Sequence, residues 1–122
     1  MEPLATVREI CLAYPEATEQ LFGGHAQPTF RVRGRIFAMY VDDHHGDRRL
    51  AIWCKAGPGG QDVLVSADPG RYFAPPYVGP KGWVGMRLEG AVDWDDVRAL
   101  IDESYRLIAP KRLVAELDGR PR

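Results

Sequence analysis

Hydrophobic positions near the N-terminus recur at helical spacing, whereas those further along the chain mostly alternate with polar ones. Leu4, Val7, Ile10 and Cys11 fall on one stripe when plotted at about 3.6 residues per turn. This stripe predicts an amphipathic helix over residues 3–13, which ends where Tyr14 meets a proline because the residue before proline avoids the helical region.

Alternation of apolar and polar residues predicts the strands that follow. We expect strands over residues 16–22, 28–41 (as a hairpin), 48–55 and 83–88. Residues 72–82 are rich in proline, glycine and aromatic residues. Because proline cannot donate to a strand ladder, this stretch predicts an ordered crossing loop with at most one short edge pairing.

Two more helices are predicted in the second half of the chain. A short one covers residues 61–67, and a long one begins after Asp93, whose side-chain oxygen suits an N-cap. Pro110 interrupts the long helix, and residues 111–117 add a final turn or two. The predicted buried stripe of the long helix is Trp94, Val97, Leu100, Ile101, Ser104 and Ile108.

Short loops between the strands predict an antiparallel sheet with helices packed on one face. The fold class expected is therefore α+β, a two-layer sandwich, built as one domain over residues 1–122. One sheet face is left open by this arrangement. On it we place Arg31, Arg33, Trp53, Lys55, Trp83 and Arg87.

The early hairpin mixes arginines with large apolar residues, and two registers are open. A loop at Gly34-Arg35 puts Arg31 and Arg33 on the face of Ile36, Ala38 and Tyr40. A loop at residues 33–35 puts them on the face of Phe37, Met39 and Val41. Either register joins guanidinium groups to apolar area outside the core, which is typical of a surface that meets a partner.

The charge is nearly balanced but unevenly distributed. The 122 residues carry a net charge of −1, which argues against a dominant non-specific attraction to nucleic acid. Residues 31–55 nevertheless hold most of the sheet's arginines, whereas residues 93–103 are acidic. The N-terminus has no signal-peptide pattern and no apolar run reaches about 18 residues, so we expect a cytoplasmic protein without a membrane span. We also expect a monomer.

Candidate catalytic and metal chemistry is sparse. His44-His45 beside Asp42, Asp43 and Asp47 is better interpreted as a solvated hairpin loop than as a metal site, because adjacent histidines rarely supply convergent ligands. His25 has no nucleophile or carboxylate at a known spacing. We therefore expect no enzyme activity and no cofactor. Cys11 and Cys54, the two cysteines, are expected to be small core residues.

Four ordered stretches resemble the MmcQ/YjbR family: FRVRGRIFAMY, AIWCKA, YFAPPYVGPKGWVGMRL and DWDDVRALIDESYRLIAPKRL. The family pattern has a basic residue before an Ile/Met-Phe-Ala run, here Arg35, and a late Ser-Tyr pair, here Ser104-Tyr105. The basic position is often lysine, and arginine keeps its charge but changes its donor geometry. The resemblance implies a small α+β fold related to secretion chaperones and a DNA-binding role. It carries no agreed catalytic residues.

The leading hypothesis is a protein that contacts DNA phosphates with cations and offers its tryptophans for stacking. The structural alternative is that the arginines form a solvated edge and the tryptophans pack under the loop at residues 75–77. The alternative function is a non-enzymatic small-molecule or protein-binding module that uses the same open face. The predicted nucleic-acid-binding residues are Arg31, Arg33, Arg35, Trp53, Lys55, Lys81, Trp83 and Arg87.

Overall fold

The computed structural model describes residues 2–21, 27–43, 46 and 48–120. Its helices are α1 (Pro3–Leu12), α2 (Gly60–Ala67), α3 (Trp94–Ile108) and α4 (Lys111–Asp118), with a 3-10 turn at Gly79–Lys81. Its strands are β1 (Thr18–Leu21), β2 (Pro28–Val32), β3 (Arg35–Asp42), β4 (Leu50–Lys55), β5 (Tyr72–Phe73) and β6 (Trp83–Arg87). These elements confirm the order expected from the sequence, including one short strand inside the 72–82 stretch.

The six strands form one antiparallel sheet in the order β1-β2-β3-β4-β6-β5. Helices α1 and α3 pack on one side of it, with α3 over β3 and β4. The expected α+β sandwich, with helices against one face of an antiparallel sheet, is confirmed. No helix in the described part of the chain has the length and apolarity needed to cross a bilayer.

The main core lies between the sheet and α1 and α3. Cys54 on β4 and Cys11 on α1 are both fully buried, and they lie close enough for ionisation of one thiol to raise the pKa of the other, so this side of β4 faces α1. Burial raises the pKa of both thiols, which makes them poor nucleophiles. They are core residues, as predicted. Paired strand positions place Phe30, Ala38, Ile52, Val84 and Met86 on the same side.

The early hairpin turns at Arg33-Gly34, which neither predicted register used. Both residues have positive φ (51° and 78°), the signature of the type I′ turn that suits a two-residue hairpin. Val32 pairs with Arg35 and Arg31 with Ile36, and the register then shifts by one residue. This β-bulge lets Phe37 and Ala38 both reach the helix side.

Beyond the bulge the alternation is inverted. Thr29 pairs with Met39, and Arg31 donates from Nε to Thr29 Oγ1 at 3.1 Å, so these side chains share the face away from the helices. That face therefore holds Ile36 from the first predicted register and Met39 and Val41 from the second. Each register was half right, because neither allowed for a bulge.

Ser104 joins β3 to β4 where their ladder stops. The last paired residues are Ala38 and Cys54, and the next backbone groups are bridged by the Ser104 hydroxyl. Lys55 N–H donates to Ser104 Oγ at 3.0 Å, and Ser104 Oγ donates to the Phe37 carbonyl at 2.6 Å. The neighbouring Tyr105 hydroxyl donates to the Pro15 carbonyl at 2.7 Å. The Ser-Tyr pair is thus a packing and hydrogen-bonding device.

Candidate nucleic-acid interface

The sheet register gathers five of the eight predicted site residues on the face away from α1 and α3. Met39 pairs with Trp53 and Lys55 with Trp83, and Arg87 pairs with Ala51, two residues before Trp53. Arg31 joins this face through its contact with Thr29, the partner of Met39. The shared positions are Arg31, Trp53, Lys55, Trp83 and Arg87, which we call the outer face.

The two indole rings on the outer face are buried rather than exposed to solvent. Trp53 is 4% exposed and Trp83 is 8% exposed. Stacking on a base needs an open ring face, and this degree of burial leaves none. The structure corrects that part of the prediction and agrees with the packed alternative, although the outer face is indeed where both rings lie.

Phe73 explains why the centre of the outer face is closed. A Cβ at Gly85 would lie 2.4 Å from Phe73 Cζ, so the ring occupies the space a larger residue would fill beside Trp53. The Arg49 guanidinium covers the ring at 4.2 Å from its centroid, and that of Arg87 lies 5.8 Å away. These cation–π contacts seal the apolar layer beneath a basic surface.

Arg33 and Arg35 lie away from the outer face. Arg33 sits in the turn and pairs with the Glu16 carboxylate through two bonds of 2.6 and 2.9 Å. That pair lowers the pKa of the Glu16 carboxyl. Arg35 pairs with Val32 on the helix side, and its Nη1 donates to the Ile108 carbonyl at 3.4 Å. This carbonyl ends α3, and the partial negative charge of a helix C-terminus favours a cation there. The structure therefore corrects the placement of Arg33 on the open face with Arg31, and Arg35, predicted only as a phosphate contact, lies away from that face too.

Lys55 and Lys81 converge on one cleft. The cleft has a volume of about 370 Å³ and lies between the β4–α2 loop and the Gly79–Lys81 turn. Its walls are mainly glycine and proline backbone, with Asp62 as the one acidic residue among its lining. Within residues 2–21, 27–43, 46 and 48–120, no carboxylate forms an ion pair with Lys55, Lys81 or Arg31.

Hydrogen bonds hold the cleft walls in place. Gln61 Nε2 donates to the carbonyls of Gly79 at 2.8 Å and Trp83 at 2.5 Å, which ties α2 to the loop that carries Lys81. Ala56 N–H donates to the Gly82 carbonyl at 3.1 Å across the base of the cleft. Lys55 itself is fixed at the backbone by Ser104. The backbone segments that carry Lys55 and Lys81 are therefore both held by hydrogen bonds.

A second hollow lies on the helix side, between α1 and α3. It has a volume of about 380 Å³, and Tyr14 and Asp102 line it. Tyr14 donates to Asp102 Oδ1 at 2.9 Å, and Arg106 donates to Oδ2 at 2.7 Å. Burial raises the pKa of the Tyr14 hydroxyl, so it remains a protonated donor. These polar groups satisfy one another, which fits a structural network.

The histidine-containing predictions fall largely outside the described residues. His25, His44, His45 and Asp47 are not among them. The described residues contain no group of three or more His, Cys, Asp or Glu side chains placed to hold a metal ion. The interpretation of residues 42–47 as a solvated loop stays a prediction.

The sequence interpretation missed three residues that shape this region. Arg49 and Phe73 close the outer face, and Tyr77 stands 75% exposed on the loop before Lys81. Arg49 gave no signal beyond its place before an apolar strand. Tyr77 did give a sequence signal, because a large aromatic residue between Pro76 and Gly79 lies where the chain is expected to turn, and turns are usually on the surface.

Comparison with known proteins supports the fold. The family model described as YjbR matches residues 12–107. The crystal structure of Deinococcus radiodurans protein DR2400, with the family-model domain DUF419, superimposes with a TM-score of 0.77 at 24% identity, over 97% of this chain and 89% of that one. No curated protein matches. Because the family match spans most of the 122 residues, the chain belongs to the YjbR family.

Proposed function

We propose that this YjbR-family chain is a DNA-binding protein without catalytic activity, which contacts phosphates through Arg31, Lys55, Lys81 and Arg87. The observation that carries the proposal is the convergence of Lys55 and Lys81 on one cleft, with no carboxylate paired to either in the described part of the chain. A cation that forms no internal ion pair keeps its full attraction for an external anion, since no existing contact must be broken first.

The sheet sets the extent of this contact. Lys55 lies at one end of β4, and Arg87 pairs with Ala51 near the other end of that strand. Lys55 and Ala51 are four residues apart, so Lys55 and Arg87 are separated by about 13 Å along the strand direction at the usual rise per residue. Phosphates along a DNA backbone can meet both ends together. The Arg87 pair with Glu89 is long, at 3.6 Å, and partly exposed to solvent, so it is weak enough to yield to a phosphate.

The balanced charge limits the affinity. With a net charge of −1, the chain has no large positive field to draw DNA from a distance. Four phosphate contacts predict binding of the non-specific kind, with dissociation constants of about 10⁻⁴ to 10⁻⁶ M at physiological salt. No base-reading element is invoked, because phosphate contacts position a protein without specifying sequence.

A small anionic ligand is the second candidate for the same cleft. Its volume of about 370 Å³ falls within the range of small-molecule sites. Its lining of glycine, proline and lysine fits a phosphate group better than an apolar ring. Oligonucleotide length separates the candidates. DNA contact along the outer face predicts affinity that rises with length, whereas a phosphate-sized site predicts affinity that does not.

The test replaces charges without touching the core. The double variant Lys55→Gln/Lys81→Gln should bind a fluorescent DNA duplex at least about tenfold more weakly at about 50 mM salt, followed by anisotropy. Lys111→Gln, at the start of α4, is the control, because it removes one lysine charge elsewhere on the surface. A loss in this control that is at least half that of the double variant on a logarithmic scale would show that only net charge matters and would overturn the assignment.

A further inference from the structure

Tyr77 is the most exposed large hydrophobic residue in the described part of the chain, at 75%. Its φ is +66°, and Val78 N–H donates to the Pro76 carbonyl at 2.7 Å. An i+2 to i hydrogen bond with positive φ at the central residue defines the rare, strained form of the γ-turn. An aromatic side chain has no local reason to prefer this conformation. Such strain persists only where surrounding structure holds it.

The surrounding loop does hold it. Gly79 N–H donates to the Pro75 carbonyl at 2.9 Å, and Lys81 N–H donates to the Val78 carbonyl at 3.0 Å. Pro75 is buried, while Tyr77 points outward from the turn. Tyr77 and Lys81 are therefore carried on one hydrogen-bonded loop, which Gln61 ties to α2. Little backbone entropy is therefore left to lose when a ligand contacts this loop, and the ordering cost is confined to the two exposed side chains.

We propose that Tyr77 is the stacking platform for an unpaired base of single-stranded DNA whose backbone phosphates lie in the Lys55–Lys81 cleft. This inference rests on the proposed function and adds to it the strand state of the DNA. Single-strand binders combine a basic groove with exposed aromatic rings, because every base offers a ring face for stacking. In a duplex those faces are already covered by neighbouring base pairs. Tyr77 takes the role that the buried Trp53 and Trp83 cannot fill.

The experiment compares single-stranded and duplex oligonucleotides of equal length. Tyr77→Asn removes the ring and keeps a residue that tolerates positive φ, so the loop is retained. We expect single-strand affinity to fall about 5- to 150-fold, the range for losing one stacked base. Duplex affinity should change less than about twofold. Tyr77→Phe should keep single-strand binding, because the ring remains.

Val63→Ala is the matched control, since Val63 is 67% exposed on α2 and carries no ring. Single-strand affinity that is unchanged in Tyr77→Asn, or equally reduced in Val63→Ala, would overturn the inference. Tighter Tyr77-dependent binding of RNA of the same length would overturn the assignment to DNA. The Lys55→Gln/Lys81→Gln variant on duplex DNA keeps the two proposals apart. If this double variant loses affinity for duplex DNA while Tyr77→Asn keeps its affinity for single-stranded DNA, the phosphate site is supported and the stacking role of Tyr77 is refuted.

Discussion

Replacing Ser104 by alanine should destabilise the protein far more than the loss of one hydroxyl on a surface would. Ser104 is fully buried and supplies the partner for two backbone groups, Lys55 N–H and the Phe37 carbonyl. A serine hydroxyl can donate one bond and accept others, so one atom serves both. Without it, neither group has a strand partner to replace it, because the β3–β4 ladder ends at the preceding pair, Ala38 and Cys54.

The magnitude follows from the desolvation of those groups. An unsatisfied buried donor or acceptor costs about 1–3 kcal/mol, so Ser104→Ala should lower the free energy of unfolding by about 2–4 kcal/mol. That is a large share of the 5–15 kcal/mol typical of a domain. At about 4 °C per kcal/mol for a chain of this size, the melting temperature should fall by about 8–16 °C.

Urea unfolding followed by circular dichroism measures this loss directly. Ser66→Ala is the matched control, because Ser66 is exposed near the end of α2 and its variant should stay within about 0.5 kcal/mol of the parent. Hydrogen exchange at the Lys55 amide should also quicken in Ser104→Ala, since that N–H loses its acceptor. If Ser104→Ala is no less stable than Ser66→Ala, the bridging role is refuted.

Two further predictions test the outer face and the hairpin. Gly85→Ala should cost about 1–3 kcal/mol of unfolding free energy and shift tryptophan fluorescence, because its Cβ would lie 2.4 Å from Phe73 Cζ beside Trp53. Gly70→Ala, with its nearest contact at 3.6 Å, is the control, and equal stability of the two variants would contradict the packing described. Arg33→Ala should raise the lowered pKa of Glu16 toward about 4.3, as read by carboxyl NMR titration. Because that pKa is depressed in the folded state, the Glu16–Arg33 contribution to stability is present above the ordinary carboxyl pKa and is lost as pH falls through the folded value. An unchanged Glu16 pKa in Arg33→Ala would argue against the pair.

Period-two alternation was enough to predict most of the outer face. Trp53, Lys55, Trp83 and Arg87 share it because each pair is separated by an even number of residues or lies opposite in the ladder. The helices followed equally well from their apolar stripes. Asp93 caps α3 as expected, accepting from the backbone N–H groups of Asp95 and Asp96.

The hairpin could not be resolved from its pattern. Ile36, Phe37 and Ala38 are all apolar, so a bulge there leaves no mark on the alternation. The turn at Arg33-Gly34 needs positive φ at an arginine, which residue preferences disfavour. The bidentate contact with Glu16, 17 residues earlier in the chain, helps hold that conformation.

Burial of the tryptophans also depended on distant partners. Trp53 is enclosed because Gly85 leaves room for Phe73, and Arg49 covers that ring. None of these contacts is local in sequence. A tryptophan on the non-core face looks available for stacking until its neighbours are placed.

The dependence of DNA affinity on salt tests the central claim most directly. Four phosphate contacts predict a slope of about −3.6 for log affinity against log salt in a duplex titration, and Lys55→Gln/Lys81→Gln should reduce it to about −1.8. Lys111→Gln should leave the slope near that of the parent chain. A slope near zero for the parent chain, or one that the double variant leaves unchanged, would contradict phosphate contact at this cleft.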